Sequence, residues 1–195
     1  MPTPTTLLFL RHAETDLAGT FCGASDPPLN EKGLAQIPRL LKRIESQPLE
    51  AVYTSDLERA RQTAEPLAEA RKIRVFRRSA LREIDFGDWE ALTWKQIETL
   101  DPQYAARWVA EFPALPTPNG ETITAFRHRV LNEIAFLRQA PFERIAIVTH
   151  AGVLRVLLEE FGHFAPQHAW ERTRDYTCGL HCTQRSPTGT LTIHP

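Results

Sequence analysis

Two apolar runs each end in a histidine, Leu7-Leu8-Phe9-Leu10-Arg11-His12 and Ile145-Ala146-Ile147-Val148-Thr149-His150. With an ordinary pKa of ~6.5, imidazole can act as a nucleophile or a proton carrier near neutrality. Arg11 adjoins the first histidine. After the second, the spacing predicts a helix over residues 152–161, and the amides of Ala151 and Gly152 at its start form an anion site. Either histidine alone reads as a satisfied core or loop residue. Two at strand ends, each beside an anion-binding element, describe a phosphate pocket with a histidine at its floor.

Residues 5–10 form a compact run ending in charge, as a buried strand does when it delivers polar groups at its carboxyl end. Asn30 can cap a helix running to about residue 44, with Pro38 expected to kink it or move its start. Residues 51–54 read as a second strand, and Ser55 or Asp56 as the cap of a helix to about residue 71, interrupted by Pro66. Residues 73–77 are β-like, and 81–90 form an irregular, carboxylate-rich segment. Trp94, Ile97, Leu100, Tyr104 and Trp108 predict two short helices broken at Asp101-Pro102, and residues 112–120, with three prolines, a loop. Helix over 121–138 and strand over 144–149 follow, and the tail reads as a hairpin turned at Ser186-Pro187-Thr188. Alternating strands and helices predict an α/β fold: a three-layer sandwich, its central sheet mostly parallel with helices on both faces. In such sheets ligands bind beyond the carboxyl ends of the strands, so both histidines face one crevice.

The 195 residues fit one domain spanning 1–195. Lys+Arg 23 against Asp+Glu 24 leaves a net charge of -1, so no polybasic field exists to attract nucleic acid. No apolar stretch approaches the roughly 20 residues of a membrane span. The N-terminus has no basic n-region, and three cysteines are sparse and odd in number; both point to a reducing, cytoplasmic setting. Cys178, His181 and Cys182 invite a zinc reading, but no fourth ligand accompanies them and neighbouring strand residues diverge. The Trp94/Tyr104/Trp108 stripe could shelter an aromatic base, although its helical spacing favours ordinary packing.

Four segments together resemble the histidine phosphatase superfamily, also called phosphoglycerate mutase-like. They are Leu10-Arg11-His12-Ala13-Glu14-Thr15; Thr54-Ser55-Asp56-Leu57-Glu58-Arg59-Ala60-Arg61-Gln62-Thr63-Ala64; the run from Leu81 through Glu83 to Trp89-Glu90; and Thr149-His150-Ala151-Gly152. They stand in family order and span most of the chain. The resemblance implies that His12 is the phosphoryl-accepting nucleophile. It implies that Arg11, Arg59 and His150, with the backbone at Ala151, clamp the phosphate, and that Glu83 is the general acid and then the base. From residue type alone Glu14, Asp85, Asp88 and Glu90 compete with Glu83. The substrate implied is a small phosphate ester, and no metal or other cofactor is required.

Three alanines depart from the family pattern: Ala13, Ala151 and Ala91 stand where glycine is common. They are expected to be tolerated, because strand-end conformations are β or helical. The loop over residues 15–26, including Cys22 and Gly23 as candidate substrate contacts, resembles that of α-ribazole phosphatases. The short segment between the acid and the proline loop resembles the phosphatase branch more than the mutases. Alternatives are a broad-specificity or sugar-phosphate phosphatase, a phosphoglycerate mutase, or, in a different class, a non-catalytic phosphate-binding module.

Overall fold

The computed structural model describes residues 5–186 and 188–194. Six strands form one sheet in the order β3-β2-β4-β1-β5-β6. They are β1 (Thr5–Arg11), β2 (Ala51–Thr54), β3 (Arg74–Arg77), β4 (Arg144–Thr149), β5 (Gly179–Gln184) and β6 (Thr192–His194). Strands β3, β2, β4 and β1 run parallel, and β5 and β6 close the sheet as an antiparallel hairpin.

Side-chain alternation divides each central strand between two cores. Leu7, Phe9, Ile145, Ile147, Ala51 and Tyr53 face α5 (Ile123–Leu137) and α6 (Ala151–Gly162), meeting Val130, Ile134, Leu154 and Leu157. Leu8, Leu10, Ala146, Val148 and Val52 face the other way, onto Leu40 of α1 (Glu31–Arg43) and Ala60, Ala64 and Leu67 of α2 (Glu58–Glu69). These are the two helical layers expected from the sequence. The chain leaves β1 toward one face and β4 toward the other, so a crevice opens between their carboxyl ends.

Local details depart from the expectations in instructive ways. Pro38 neither shifts nor ends α1, which Asn30 caps through Gly33 N–H at 2.8 Å. Pro38 lies on the exposed side, where water can solvate the carbonyl that it leaves without an amide partner. Pro66 likewise sits inside α2. Neither Ser55 nor Asp56 caps α2. Leu57 occupies the cap position, and Glu58 N–H donates instead to Asp26 Oδ1 at 2.5 Å, from a loop 32 residues earlier. Asp56 pairs with Arg82. Helices α3 (Trp94–Leu100) and α4 (Pro102–Glu111) meet at Asp101 as expected. Helix α7 (Pro166–Thr173) was not legible, since only Ala169 and Thr173 of its eight residues are buried. Pro187 of the expected hairpin turn lies outside the described residues.

Candidate active site

The two histidines leave adjacent parallel strands, and Arg11 and Thr149 are register partners. His12 N–H continues the ladder to Thr149 O at 2.9 Å. The side chain's Nδ1 lies 2.7 Å from Ala13 O. A carbonyl only accepts, so Nδ1 carries the proton and Nε2 keeps its lone pair. The His150 ring centroid is 5.0 Å away. His150 is fully buried, and neither of its ring nitrogens has a hydrogen-bond partner among the described residues. Buried polar atoms are normally satisfied, so this pair marks a place for a ligand.

Burial, then the nearby Arg59 guanidinium, holds both imidazoles well below the usual histidine range; Arg11 pushes in the same direction. Both rings are therefore neutral at pH 7, as a nitrogen nucleophile requires. A depressed histidine pKa stabilises the fold fully above ~6.5, the unfolded-chain value. That contribution is lost as pH falls from there toward the folded-state values. Urea unfolding should therefore show stability dropping between pH 7.5 and 5.0. Equal stability at both would contradict the assignment.

Arg59 lies wholly buried on the first turn of α2. Its Nη1 donates to Ser25 O at 2.5 Å and its Nη2 to Gly23 O at 2.8 Å, with Cys22 O at 3.4 Å. Its Nε has no hydrogen-bond partner among the described residues. Thr63 ties this turn to the first histidine's strand by accepting from Ala13 N–H at 3.0 Å. Arg11 donates through Nη1 to the carbonyls of Thr173 and Arg174 at the end of α7, and lies 4.1 Å from the Tyr176 ring centroid. Its Nε is also buried without a hydrogen-bond partner among the described residues. Both guanidiniums are thus oriented by carbonyls while an N–H of each remains for an anion.

Of the competing carboxylates, only Glu83 reaches the start of α6. Its Oε2 accepts Gly152 N–H at 2.9 Å, and its Oε1 accepts Ile84 N–H at 3.1 Å. A Cβ on Gly152 would collide with that carboxylate, which explains the glycine. The Gly152 amide is accordingly engaged by Glu83 and is not free to receive an anion, contrary to expectation. Glu14 bonds Asn30 and lies 3.9 Å from Lys32. Asp85 caps Gly87 N–H, and Asp88 accepts from Asn119. Glu90 is enclosed by backbone amides, one of them that of Gly23, so Gly23 offers the pocket no free N–H. Cys22 is partly buried, and burial pushes its thiol up, so it stays protonated.

Residue spacing missed Tyr176, whose ring centroid lies 5.7 Å from that of His12. It also missed Arg155, whose guanidinium sits 3.8 Å from the Trp170 ring centroid while Nε donates to Thr173 Oγ1. These residues come from the chain after β4, where no motif flags them. The Trp94/Tyr104/Trp108 stripe packs with Phe21, Phe86 and Trp89 into a small core of its own, as its helical period favoured. Cys182 is buried in the main core, whereas the His181 ring centroid lies 5.2 Å from that of His194 across the hairpin, the rings tilted at 47°. The two side chains diverge as expected.

The departure at residue 91 differs from expectation. Neither Ala13 nor Ala151 has positive φ, but Ala91 sits at φ 63°. It ends the turn after Trp89 and donates its N–H to Phe21 O at 2.8 Å, which fixes a left-handed conformation that a Cβ disfavours. Ala91→Gly should therefore stabilise the protein by about 0.5–1 kcal/mol, after glycine's larger unfolded-state entropy is subtracted. An unchanged or lower urea midpoint would contradict this.

A mostly parallel α/β sheet that gathers two neutral histidines and two carbonyl-held arginines at its strand ends defines a phosphoryl-transfer enzyme of the phosphoglycerate mutase-like class. Residues 7–191 match the histidine phosphatase superfamily (branch 1), and the chain belongs to that superfamily. The adenosylcobalamin/alpha-ribazole phosphatase of Salmonella typhimurium is 36% identical over 156 residues, covering 78% of this chain and 77% of that one. Phosphoserine phosphatase 1 of Hydrogenobacter thermophilus is 28% identical over 154 residues, covering 77% and 73%. The crystal structure of the alpha-ribazole phosphatase from Shigella flexneri matches with a TM-score of 0.86 at 28% identity, covering 97% of this chain and 95% of that one. No helix among the described residues is long and apolar enough to cross a membrane.

Proposed function

We propose that this phosphatase hydrolyses α-ribazole 5′-phosphate in the cytoplasm, as one histidine phosphatase domain serving cobalamin nucleotide-loop assembly. The observation that carries the catalytic part is His12, neutral and buried, with Nδ1 tied to Ala13 O and Nε2 left as the nucleophile. Arg11, Arg59, His150 and the amide of Ala151 hold the phosphate oxygens. The Nε2 lone pair attacks phosphorus, the P–O bond to the leaving group breaks, and the departing alkoxide takes a proton from the Glu83 carboxyl. Glu83 then deprotonates water, whose oxygen attacks phosphorus. The P–N bond breaks, releasing phosphate and restoring neutral His12. Charge on the transferring group is met by guanidinium and imidazole groups, so the reaction needs no added metal.

The named substrate is supported by the Salmonella and Shigella relatives and by the aromatic Tyr176 beside the nucleophile, a surface on which a flat base can lie. The relative named phosphoserine phosphatase 1 makes phosphoserine the competing ester to test. Initial rates of phosphate release from α-ribazole 5′-phosphate, phosphoserine, p-nitrophenyl phosphate and 3-phosphoglycerate, all in EDTA, separate the readings. A kcat/KM for the ribazole ester at least ~100-fold above the others, about 2.7 kcal/mol of transition-state discrimination, is expected. Preference for phosphoserine, or equal slow turnover of all four, would discard this substrate. Dependence on added Mg²⁺ would contradict the mechanism.

A further inference from the structure

Glu90 makes more backbone contacts than any carboxylate placed in the reaction. It follows the short 3-10 turn Gly87–Trp89, and its half-buried carboxylate points into the turn formed by residues 22–25. Gly23 N–H reaches Oε1 and Oε2 at 3.1 Å each, Ala24 N–H reaches Oε1 at 2.8 Å, and Ser25 N–H reaches Oε2 at 3.0 Å. Phe86 N–H closes the cage at 3.0 Å from Oε1. Glu90 has no ion-pair partner among the described residues; its charge is compensated by peptide dipoles together with the Ser25 hydroxyl. Against desolvation, the Ser25 hydroxyl and then the Phe86, Ser25 and Ala24 amides hold it below the usual carboxylate range, so it is ionised at neutral pH.

The carbonyls of the same turn point the other way. Cys22 O, Gly23 O and Ser25 O are the groups that hold the Arg59 guanidinium. Successive peptides thus present N–H to an anion on one side and C=O to a cation on the other, an arrangement in which each bond strengthens the next. The turn has little freedom to sit elsewhere: a Cβ at Gly23 would collide with Ile84 O and with Glu90 Oε1. From this geometry we infer that Glu90 is a positioning residue for Arg59, acting through the backbone of residues 22–25. The inference rests on the placement of Arg59 in the phosphate pocket.

A residue that merely stabilised the loop would lower the melting temperature without acting through Arg59, so a double-mutant cycle separates the two roles. Glu90→Gln keeps the shape but loses the charge and turns an NH2 toward amides that need acceptors. Combined with Arg59→Lys, it is assayed for kcat/KM and for inhibition by inorganic phosphate, at a temperature where circular dichroism shows every variant folded. Alone, Glu90→Gln should lower kcat/KM about tenfold, chiefly through KM, and weaken phosphate inhibition in parallel. In the Arg59→Lys background it should add less than a twofold loss. Equal losses in both backgrounds, or a Glu90→Gln enzyme with wild-type kinetics, would overturn the inference. An Arg59→Lys enzyme with wild-type kcat/KM would overturn the placement of Arg59 itself, and the inference with it. If Glu90→Gln does not fold, Glu90→Asp enters the same cycle. It keeps the charge but falls one methylene short of the amides, and the same outcomes apply.

Discussion

His12→Ala is expected to lower kcat by at least about 10⁴-fold, the scale seen when a nucleophile is removed from a catalytic unit. Nothing else among the described residues can take over its task. The His150 ring is neutral and lies 5.0 Å away, but no carbonyl fixes its tautomer as Ala13 O fixes that of His12. The loss should fall on kcat, because the proposed phosphate clamp of Arg11, Arg59 and Ala151 does not depend on the His12 ring. A His12→Ala enzyme within tenfold of wild type would remove the covalent route and leave direct attack by water. His12→Gln, closer in size to imidazole, guards against a packing artefact and should be equally inactive.

Arg78→Met should cost about 3 kcal/mol of stability without touching the pocket. Arg78 Nε and Nη2 donate to the two carboxylate oxygens of Glu133 at 2.7 and 2.9 Å, joining the end of β3 to α5. The Glu133 side chain is only 3% exposed, against 35% for Arg78. Removing the cation strands a buried charge, and breaking such pairs costs about 3–5 kcal/mol. Partial exposure of the arginine puts this case at the lower end. For a chain of this length that is a fall of about 6–12 °C in Tm. Adding Glu133→Leu to Arg78→Met should recover most of the loss, because the stranded carboxylate is then gone. A single mutant that melts with the wild type would contradict this role for the pair.

The layers and the pocket were legible because both are written in short-range patterns. Period-two alternation in Leu7-Leu8-Phe9-Leu10 sorts side chains onto two faces, and the charge that follows each run marks a strand's carboxyl end. The pairing of His12 with His150 follows once β1 and β4 are neighbours. What sequence could not show are contacts made by backbone. Asp26 replaces Ser55 and Asp56 as the partner of the α2 amide because the loop before α1 folds back over that helix. Ala91 takes a left-handed conformation because its amide must reach Phe21 O. Tyr176 approaches His12 from a segment without motif or period. Glu90 looked like one acid among several until its carboxylate was found closed in by amides.

The most direct test of the covalent route is a rapid acid-free quench of enzyme mixed with 32P-labelled substrate, followed by mapping of the label. The expected result is transient, acid-labile and alkali-stable phosphate on the peptide carrying His12, absent in His12→Ala and accumulating in Glu83→Gln with labelled p-nitrophenyl phosphate, whose leaving group needs no proton from Glu83 while the water step still needs its base. Label on any other residue, or turnover at the wild-type rate with no label on His12, would contradict it.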